Sequence, residues 1–287
     1  MDLSIIIVAY NGRELVRDCL NSIFQNTAGI EFEVFVVDNA SVDGTPNMVQ
    51  REFPQVRLGV NQKNLGFAAA NNLAIRGAQG DFILLLNQDM RVLSGTLAEM
   101  VGFMRNHPEA AVGGCHLVDE EGKMVRHARR FPGVWDQATI ILKVPHFFPK
   151  ILDKYLMADF DYAKMEPQEV DSLRGSFFMI RHEAIAKIGP LDERYFFWFE
   201  EVDFCRRARA AGYKILYNGA VKCIDLVGQS VKTLGQYKRQ KMFLESMVKY
   251  FRKWYPGWRA WLIGVLRPIG LAMAWAADKY RSAARVS

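Results

Sequence analysis

The sequence predicts an α/β fold: a mostly parallel central sheet with helices on both faces, followed by a basic, amphipathic helical tail. Two observations predict the sheet and a third the tail. Short runs of mainly apolar residues at 4–9, 32–37 and 82–86 alternate with amphipathic segments of helical period. Each run ends in polar or acidic residues, at Tyr10-Asn11, Asp38 and Asn87-Gln88-Asp89. Runs apolar on both faces belong inside parallel sheets, whose carboxyl ends are where open α/β sheets bind ligands. From residue 232 to the end there are 12 Lys or Arg against 2 Asp or Glu, a net of +10.

The elements follow in order. Residues 4–9 form the first strand. Residues 13–24 form a helix with Leu15, Cys19 and Ile23 on one face. Residues 32–37 are the second strand, and Thr45 is placed to cap a helix with Pro46 at its first position. A short strand at 56–60 leads through a polar loop to a small-residue helix at 65–78. The run 82–86 is the central strand, followed by a helix near 97–105 and a strand near 111–117. Residues 119–170 are irregular, with Pro132, Pro145, Pro149 and Pro167 and the basic group Arg126-His-Ala-Arg129-Arg130. That group reads either as a solvated loop or as an anion-contacting, acceptor-side loop. A strand at 177–180 follows Gly175, which leaves room for close approach by a ligand. A short helix at 182–187 comes next. An aromatic run then meets Glu200, Glu201 and Asp203 at the start of a helix reaching about Ala211.

Those carboxylates have an ordinary reading, since a helix start favours anions. Crowded beside aromatic surface they also raise one another's pKa, which suits a general base, and Trp198 offers a ring for a sugar face to stack on. Asp89 taken alone is an ordinary loop carboxylate. Convergence with Asp38 and Tyr10 on one rim makes it a ligand candidate.

Several classes are excluded. The turn Ala9-Tyr-Asn-Gly-Arg13 lacks a dinucleotide-binding glycine fingerprint, and no Walker loop is present. Phosphates bound here would need a hard cation held by carboxylates. Cys19, Cys115, Cys205 and Cys223 are scattered, as expected of a reducing, cytoplasmic setting. No signal peptide is read at the N-terminus. The nearest approach to a membrane span, residues 258–277, is interrupted by Arg259, Arg267 and Pro268.

Seven stretches taken together resemble family 2 glycosyltransferases of GT-A fold, a Rossmann-like architecture. They are Ser4-Ile-Ile-Ile-Val-Ala-Tyr-Asn11, Val37-Asp-Asn-Ala-Ser-Val-Asp-Gly-Thr45, Asn64-Leu-Gly-Phe-Ala-Ala-Ala-Asn-Asn72, Leu84-Leu-Leu-Asn-Gln-Asp89, Arg174-Gly-Ser-Phe177, Gly189-Pro-Leu-Asp-Glu193 and residues 196–207. The chain looks most like the bacterial rhamnosyltransferase branch that builds lipid-linked glycans. The resemblance implies inverting transfer from a nucleotide sugar, dTDP-rhamnose preferred, to a hydroxyl of a polyprenyl-diphosphate-linked saccharide. It implies a catalytic unit over 1–231, with a nucleotide-sugar half (1–118) and an acceptor and base half (119–231), and a separate membrane-association region at 232–287. It places Ala9, Tyr10, Asn11, Asp38, Asn64, Gly66 and Asn87 on the nucleotide sugar. Asp89 ligates Mg²⁺ or Mn²⁺ beneath the diphosphate. Glu201 is the base, with Glu200 and Asp203 able to share that role, and Gly175, Trp198, Arg129 and Arg130 lie toward the acceptor.

Three positions depart from the family pattern: Gln88 replaces a Pro, Glu201 a usual Asp, and Asp225 a His shortly before Gly228-Gln-Ser230. Asp225 is therefore a second expected metal ligand. The tail either packs on the body or on a second copy of the chain, or it anchors a peripheral enzyme at the cytoplasmic face of a bacterial inner membrane. A lipid-linked acceptor favours the anchor, with Lys and Arg meeting anionic headgroups. Nucleic acid is not an expected partner, because no reading module accompanies the charge. Two rivals stand beside transfer: a sugar nucleotidyltransferase, and a membrane-bound scaffold without activity.

Overall fold

The computed structural model describes residues 1–226 and 235–283; Gly228–Ser230 and Lys232, named above, lie outside the described residues. The first half runs β1 (Leu3–Ala9), α1 (Arg13–Asn26), β2 (Phe32–Asp38), α2 (Thr45–Glu52), β3 (Arg57–Val60), α3 (Phe67–Ile75), β4 (Phe82–Asn87), β5 (Met90–Val92), α4 (Thr96–Asn106) and β6 (Ala110–Val118). Then come β7 (Ala128–Arg129), α5 (Val134–Ile141), two 3-10 turns (Val144–His146, Pro149–Leu152), β8 (Gln168–Glu169) and β9 (Ser172–Leu173). The chain continues with β10 (Phe177–Arg181), α6 (His182–Ile188), α7 (Glu200–Ala210), β11 (Lys214–Asp225), α8 (Gln236–Trp254) and α9 (Trp258–Ala283).

The main sheet has nine strands, in the order β3-β2-β1-β4-β10-β6-β11-β5 with β8 beside β11. Six strands point one way; β5, β8 and β10 run against them. β10 lies between β4 and β6, so strands from before and after residue 118 share one sheet. The central strands are apolar throughout because both faces are covered. Ile5, Ile7, Leu84 and Leu86 pack on one side with Leu20 of α1 and Met100 of α4. Ile6, Ile83 and Leu85 pack on the other with Ala70 of α3 and Phe204 of α7. All four cysteines are buried and free.

Several expectations need correction. Thr45 is the first helical residue of α2 rather than its cap; Gly44, in a left-handed conformation, takes that place, and Thr45 Oγ1 donates to Asp43 Oδ1 at 2.6 Å. The twelve-residue β11 and the short β5 were not foreseen. α9 is one continuous helix despite Pro268, supported by packing on α5 and α8. Its segment Trp258–Lys279 has the length and composition to cross a membrane. α8 does not offer its aromatic face to lipid. Met247, Tyr250 and Phe251 are fully buried against Tyr195 and Phe199, so this half of the tail belongs to the core.

Candidate active site

The site is built on the carboxyl rim of the sheet. In the ladders Ala9 sits opposite Asp38 and Val8 opposite Asn87, so three strand ends open side by side. Asp38 is fully buried; its Oδ1 accepts from Ser41 N at 2.8 Å, and its Oδ2 has no partner among the described residues. A buried lone oxygen at a rim invites a donor from a ligand. Asn11, at φ 47°, stitches the neighbouring loop: its N donates to Ser41 Oγ at 2.9 Å and its Oδ1 accepts from Val42 N at 2.9 Å. Asn39, which the sequence did not single out, donates to Gly66 O at 3.2 Å and accepts from Asn61 Nδ2 at 2.9 Å.

Gln88 has a positive role. Its Oε1 accepts from Tyr10 N at 3.0 Å and its Nε2 donates to Tyr10 O at 3.5 Å, tying the end of β4 to the end of β1. Asp89 and Asp225 are both buried, and the backbone of the β11–β5 ladder brings their positions near one another. Asp225 pairs with Met90 across the β11–β5 ladder, and Leu226 N donates to Asp89 O at 3.1 Å. Among the described residues no three His, Cys, Asp or Glu side chains gather into a ready-made metal cage. Carboxylate oxygens are the ligands that a hard divalent cation takes, so the side chains of Asp89 and Asp225 have the chemistry to fit one.

Between β1, α3 and the aromatic loop lies a cavity. Tyr10, Asn39, Asn64, Gly66, Asn87 and Gln88 form one part of its wall. Phe67, Phe196 and Phe197 form another, and Lys238 and Met242 of α8 close it. Gly66 is required here. Its φ is 85°, and a Cβ would fall 2.3 Å from Phe196 O, which accepts from Phe67 N at 2.8 Å. Lys238 is the one charged residue on this wall among the described residues. Neither it nor the phenylalanines were expected on the donor side; α8 returns to the site from far along the chain, which no local pattern signals.

α7 starts from strained backbone: Trp198 and Phe199 have φ of 66° and 71°. Ser246 Oγ of α8 holds this loop by donating to Phe197 O at 2.9 Å. Glu201 is raised to about 7, chiefly by burial, with Arg174 pulling the other way. Glu200 lies well above the usual carboxylate range, through burial and then the charge of Glu201. Oε2 of each is buried without a partner among the described residues. Asp203 is different. It is fully buried and accepts from Arg207 Nε at 2.9 Å, from Trp254 Nε1 at 2.7 Å and from Lys253 Nζ at 2.7 Å. Its acceptor capacity is committed to pinning α8. Trp198 is packed edge-on to Phe197 and Phe243, at 4.4 and 5.8 Å between ring centres, and Phe196 and Phe197 take the cavity wall instead.

Gly175 lies beside Glu201. A Cβ there would sit 3.4 Å from Phe67 and 4.0 Å from Glu201 Cβ, so Gly175 packs between the cavity wall at Phe67 and the start of α7. Arg129 is largely buried, its pKa lowered by desolvation, and donates to Ala128 O at 2.7 Å. Arg130 lies 3.9 Å from Asp171 Oδ1 on the outer side of this region. Arg174 and Tyr155, the latter pushed up to about 12 by burial, complete the surroundings of Glu201; neither was assigned a role from sequence.

Glycosyl transferase family 2 matches residues 4–189. The chain is 29% identical over 197 residues to an N-acetylglucosaminyl-diphospho-decaprenol L-rhamnosyltransferase of Mycobacterium tuberculosis, covering 64% of this chain and 63% of that protein. It is 32% identical over 111 residues to the poly(ribitol-phosphate) β-N-acetylglucosaminyltransferase TarS of Staphylococcus aureus, covering 37% of this chain and 19% of that one. In three dimensions it is similar to the mannosyltransferase PcManGT of Pyrobaculum calidifontis in complex with GDP-Man and Mn²⁺, with a TM-score of 0.60 and 20% identity over 98% of this chain and 75% of that one. A TarS structure with UDP has a TM-score of 0.57 and 18% identity, over 88% and 73% of the two chains. These likenesses show a GT-A fold.

Proposed function

The chain belongs to glycosyl transferase family 2, and we propose that it moves a sugar from a nucleotide donor to a hydroxyl of a lipid-linked saccharide with inversion. The observation that carries this is the placement of Glu201, raised to about 7, beside Gly175 and the cavity wall at Phe67. A base of that pKa is half ionised at neutral pH, where proton abstraction from a hydroxyl is most effective.

We assign the roles as follows. Asp38 Oδ2 accepts from the nucleoside, and Tyr10, Asn64, Gly66 and Asn87 shape its seat. Asp89 and Asp225 are the residues that would hold Mg²⁺ or Mn²⁺, and such a cation would supply positive charge to a departing diphosphate. Lys238 adds a second cation on the same wall. Glu201 takes the acceptor proton as the acceptor oxygen bonds to the anomeric carbon. The bond from that carbon to the diphosphate oxygen breaks, and its electron pair leaves with the nucleotide. One displacement inverts the centre, so no second carboxylate is needed as a nucleophile. Arg129, Arg130 and Arg174 are the cations that we assign to the acceptor side, for its diphosphate to meet. Rhamnose as the sugar and a polyprenyl-diphosphate-linked saccharide as acceptor are supported by the similarity to the mycobacterial enzyme, and dTDP as the carrier is our choice from the family resemblance. We read the chain as peripheral at the cytoplasmic face of a bacterial inner membrane, and the apolar helix α9 supports the association with a membrane.

The test is to incubate the full chain with a panel of nucleotide sugars and a polyprenyl-diphosphate-linked saccharide, with Mn²⁺ or with EDTA. Acceptor-dependent release of nucleoside diphosphate, lost with EDTA, is the expected result. Release of pyrophosphate from a sugar phosphate and a nucleoside triphosphate would identify a nucleotidyltransferase. No turnover with any pair would leave the scaffold reading.

A further inference from the structure

We propose that α9 and the two 3-10 turns after α5 form one composite face that lies flat in the headgroup boundary of an anionic bilayer. This deepens the peripheral reading above and rests on it for the choice of a bilayer. It removes α8 from the anchor and brings in a segment from the middle of the chain.

Residues 146–151 are exposed without a break, and Phe147 and Phe148 within them are 79% and 67% exposed. Large aromatic side chains this open at adjacent positions are poorly suited to water. On α9, Trp258, Trp261, Val265, Ile269 and Met273 are exposed, Trp261 at 67%. Steps of three and four residues place them along one helix face, and none is charged. Ile263, Gly270 and Ala274 are buried on the opposite face.

The two parts are joined. Trp135 of α5 lies 6.1 Å from Trp258 between ring centres. At its other end α5 abuts the middle of α9, where a Cβ on Gly270 would meet Ile141 at 2.8 Å. Lys143, where the turns begin, donates to Gln240 of α8 at 3.1 Å. The face is also close to the donor cavity in the fold, since α8, against which α9 packs, carries Lys238 and Met242.

Charge selects the occupant. Lys150, Lys154, Arg259 and Lys279 are exposed on the two parts, against exposed Asp153 and half-buried Asp278. A ring of Lys and Arg around Trp and Phe is the pattern of a surface helix on anionic lipid. Orientation follows from Arg267, halfway along α9. It pairs with Glu245 of α8 at 3.3 Å. A helix held to soluble structure by its middle lies in the interface plane; crossing the bilayer would carry that ion pair into hydrocarbon.

The experiment is co-sedimentation of the full chain with phosphatidylcholine vesicles, with and without phosphatidylglycerol. Two surface variants are compared: Phe147→Ser with Phe148→Ser, and Trp258→Ser with Trp261→Ser. Wild type is expected to bind the anionic vesicles and to leave them in alkaline carbonate. Each double variant should bind about tenfold more weakly or worse, with unchanged thermal melting. If the tryptophan variant is released and the phenylalanine variant binds as wild type does, the composite face is overturned and a tail anchor remains. If both bind as wild type does, the tail anchor falls too. Retention through carbonate overturns the in-plane orientation. Self-association without vesicle binding would assign the face to a second copy of the chain and overturn the proposal.

Discussion

Gln88 fills the space that a side chain on Gly12 would need: a Cβ there would fall 2.4 Å from Gln88 Nε2. Gln88 is not free to withdraw, because both ends of its amide bond the backbone of Tyr10. Gly12→Ala should therefore cost about 1–3 kcal/mol of stability through overpacking. Its backbone, at φ −144°, suits alanine, so the effect is one of space alone. In a Gln88→Ala background the cost should shrink to within experimental error. Thermal melting of the two single variants and the double variant checks this; additive losses would show that the two side-chain positions do not compete.

Glu201→Gln should leave nucleoside diphosphate binding within about twofold and lower transfer about a hundredfold or more. Wild-type rate should rise with pH through about 7, because the base acts ionised. The same shift acts on stability with the opposite slope. The folded value of about 7 exceeds the ordinary 4.5, so the folded state keeps a proton that the unfolded chain has released. That contribution is complete below pH 4.5 and is lost as pH rises through 7. Melting curves across this window should flatten in the Gln variant; an unchanged slope would place the titration elsewhere.

Asp89→Asn should abolish metal-supported turnover. Asp225→Asn should raise the Mn²⁺ concentration for half-maximal rate about tenfold, since ligand charge sets affinity for a hard cation. Asp225→His, the residue that the family resemblance implies at this position, should recover part of it. Titrating Mn²⁺ against rate measures each effect, and an Asp225→Asn curve that overlays wild type would remove this residue from the metal.

Much of this site was legible because it sits at strand ends. Apolar runs that stop at Tyr10, Asp38 and Asp89 define both the sheet and its rim. The proposed base stands out because crowded acids at a helix start are visible in sequence. The errors have physical causes. β11 carries Asn218-Gly219, a pair that signals a turn, and the sheet absorbs it as an irregularity between Asn218 and Lys222. α8 has the amphipathic pattern of a surface helix. That pattern says only that one face is covered, and the cover is protein: Tyr195 and Phe199 rather than lipid. Asp203 looked like a partner for Glu201, but its bonds go to Trp254 and Lys253, some fifty residues away and beyond the reach of local pattern.

Those bonds make Asp203 a stability residue. Asp203→Ala should cost about 3–5 kcal/mol, because it strips a buried carboxylate from Arg207 and Lys253. Asp203→Asn should cost less, as the amide still offers an oxygen to Trp254. Any Asn variant that folds should keep the wild-type pH limb near 7; a displaced limb would return Asp203 to the base.

Lys238 tests whether α8 belongs to the donor site. It is the cation on a cavity wall otherwise lined by neutral residues, among those described, while the acidic Asp89 and Asp225 sit on the same rim. A diphosphate is the one part of a nucleotide sugar that a lysine would discriminate, whereas a nucleoside would be indifferent to it. Lys238→Met should weaken binding of UDP or dTDP about tenfold, the loss of one charge-assisted hydrogen bond. Binding of uridine or thymidine should be unchanged, and Lys238→Arg should restore most of the loss. Calorimetric titration of the four ligands decides it. Equal losses for nucleoside and diphosphate would mean that the substitution merely shifts α8, and no loss for either would place the diphosphate outside this wall.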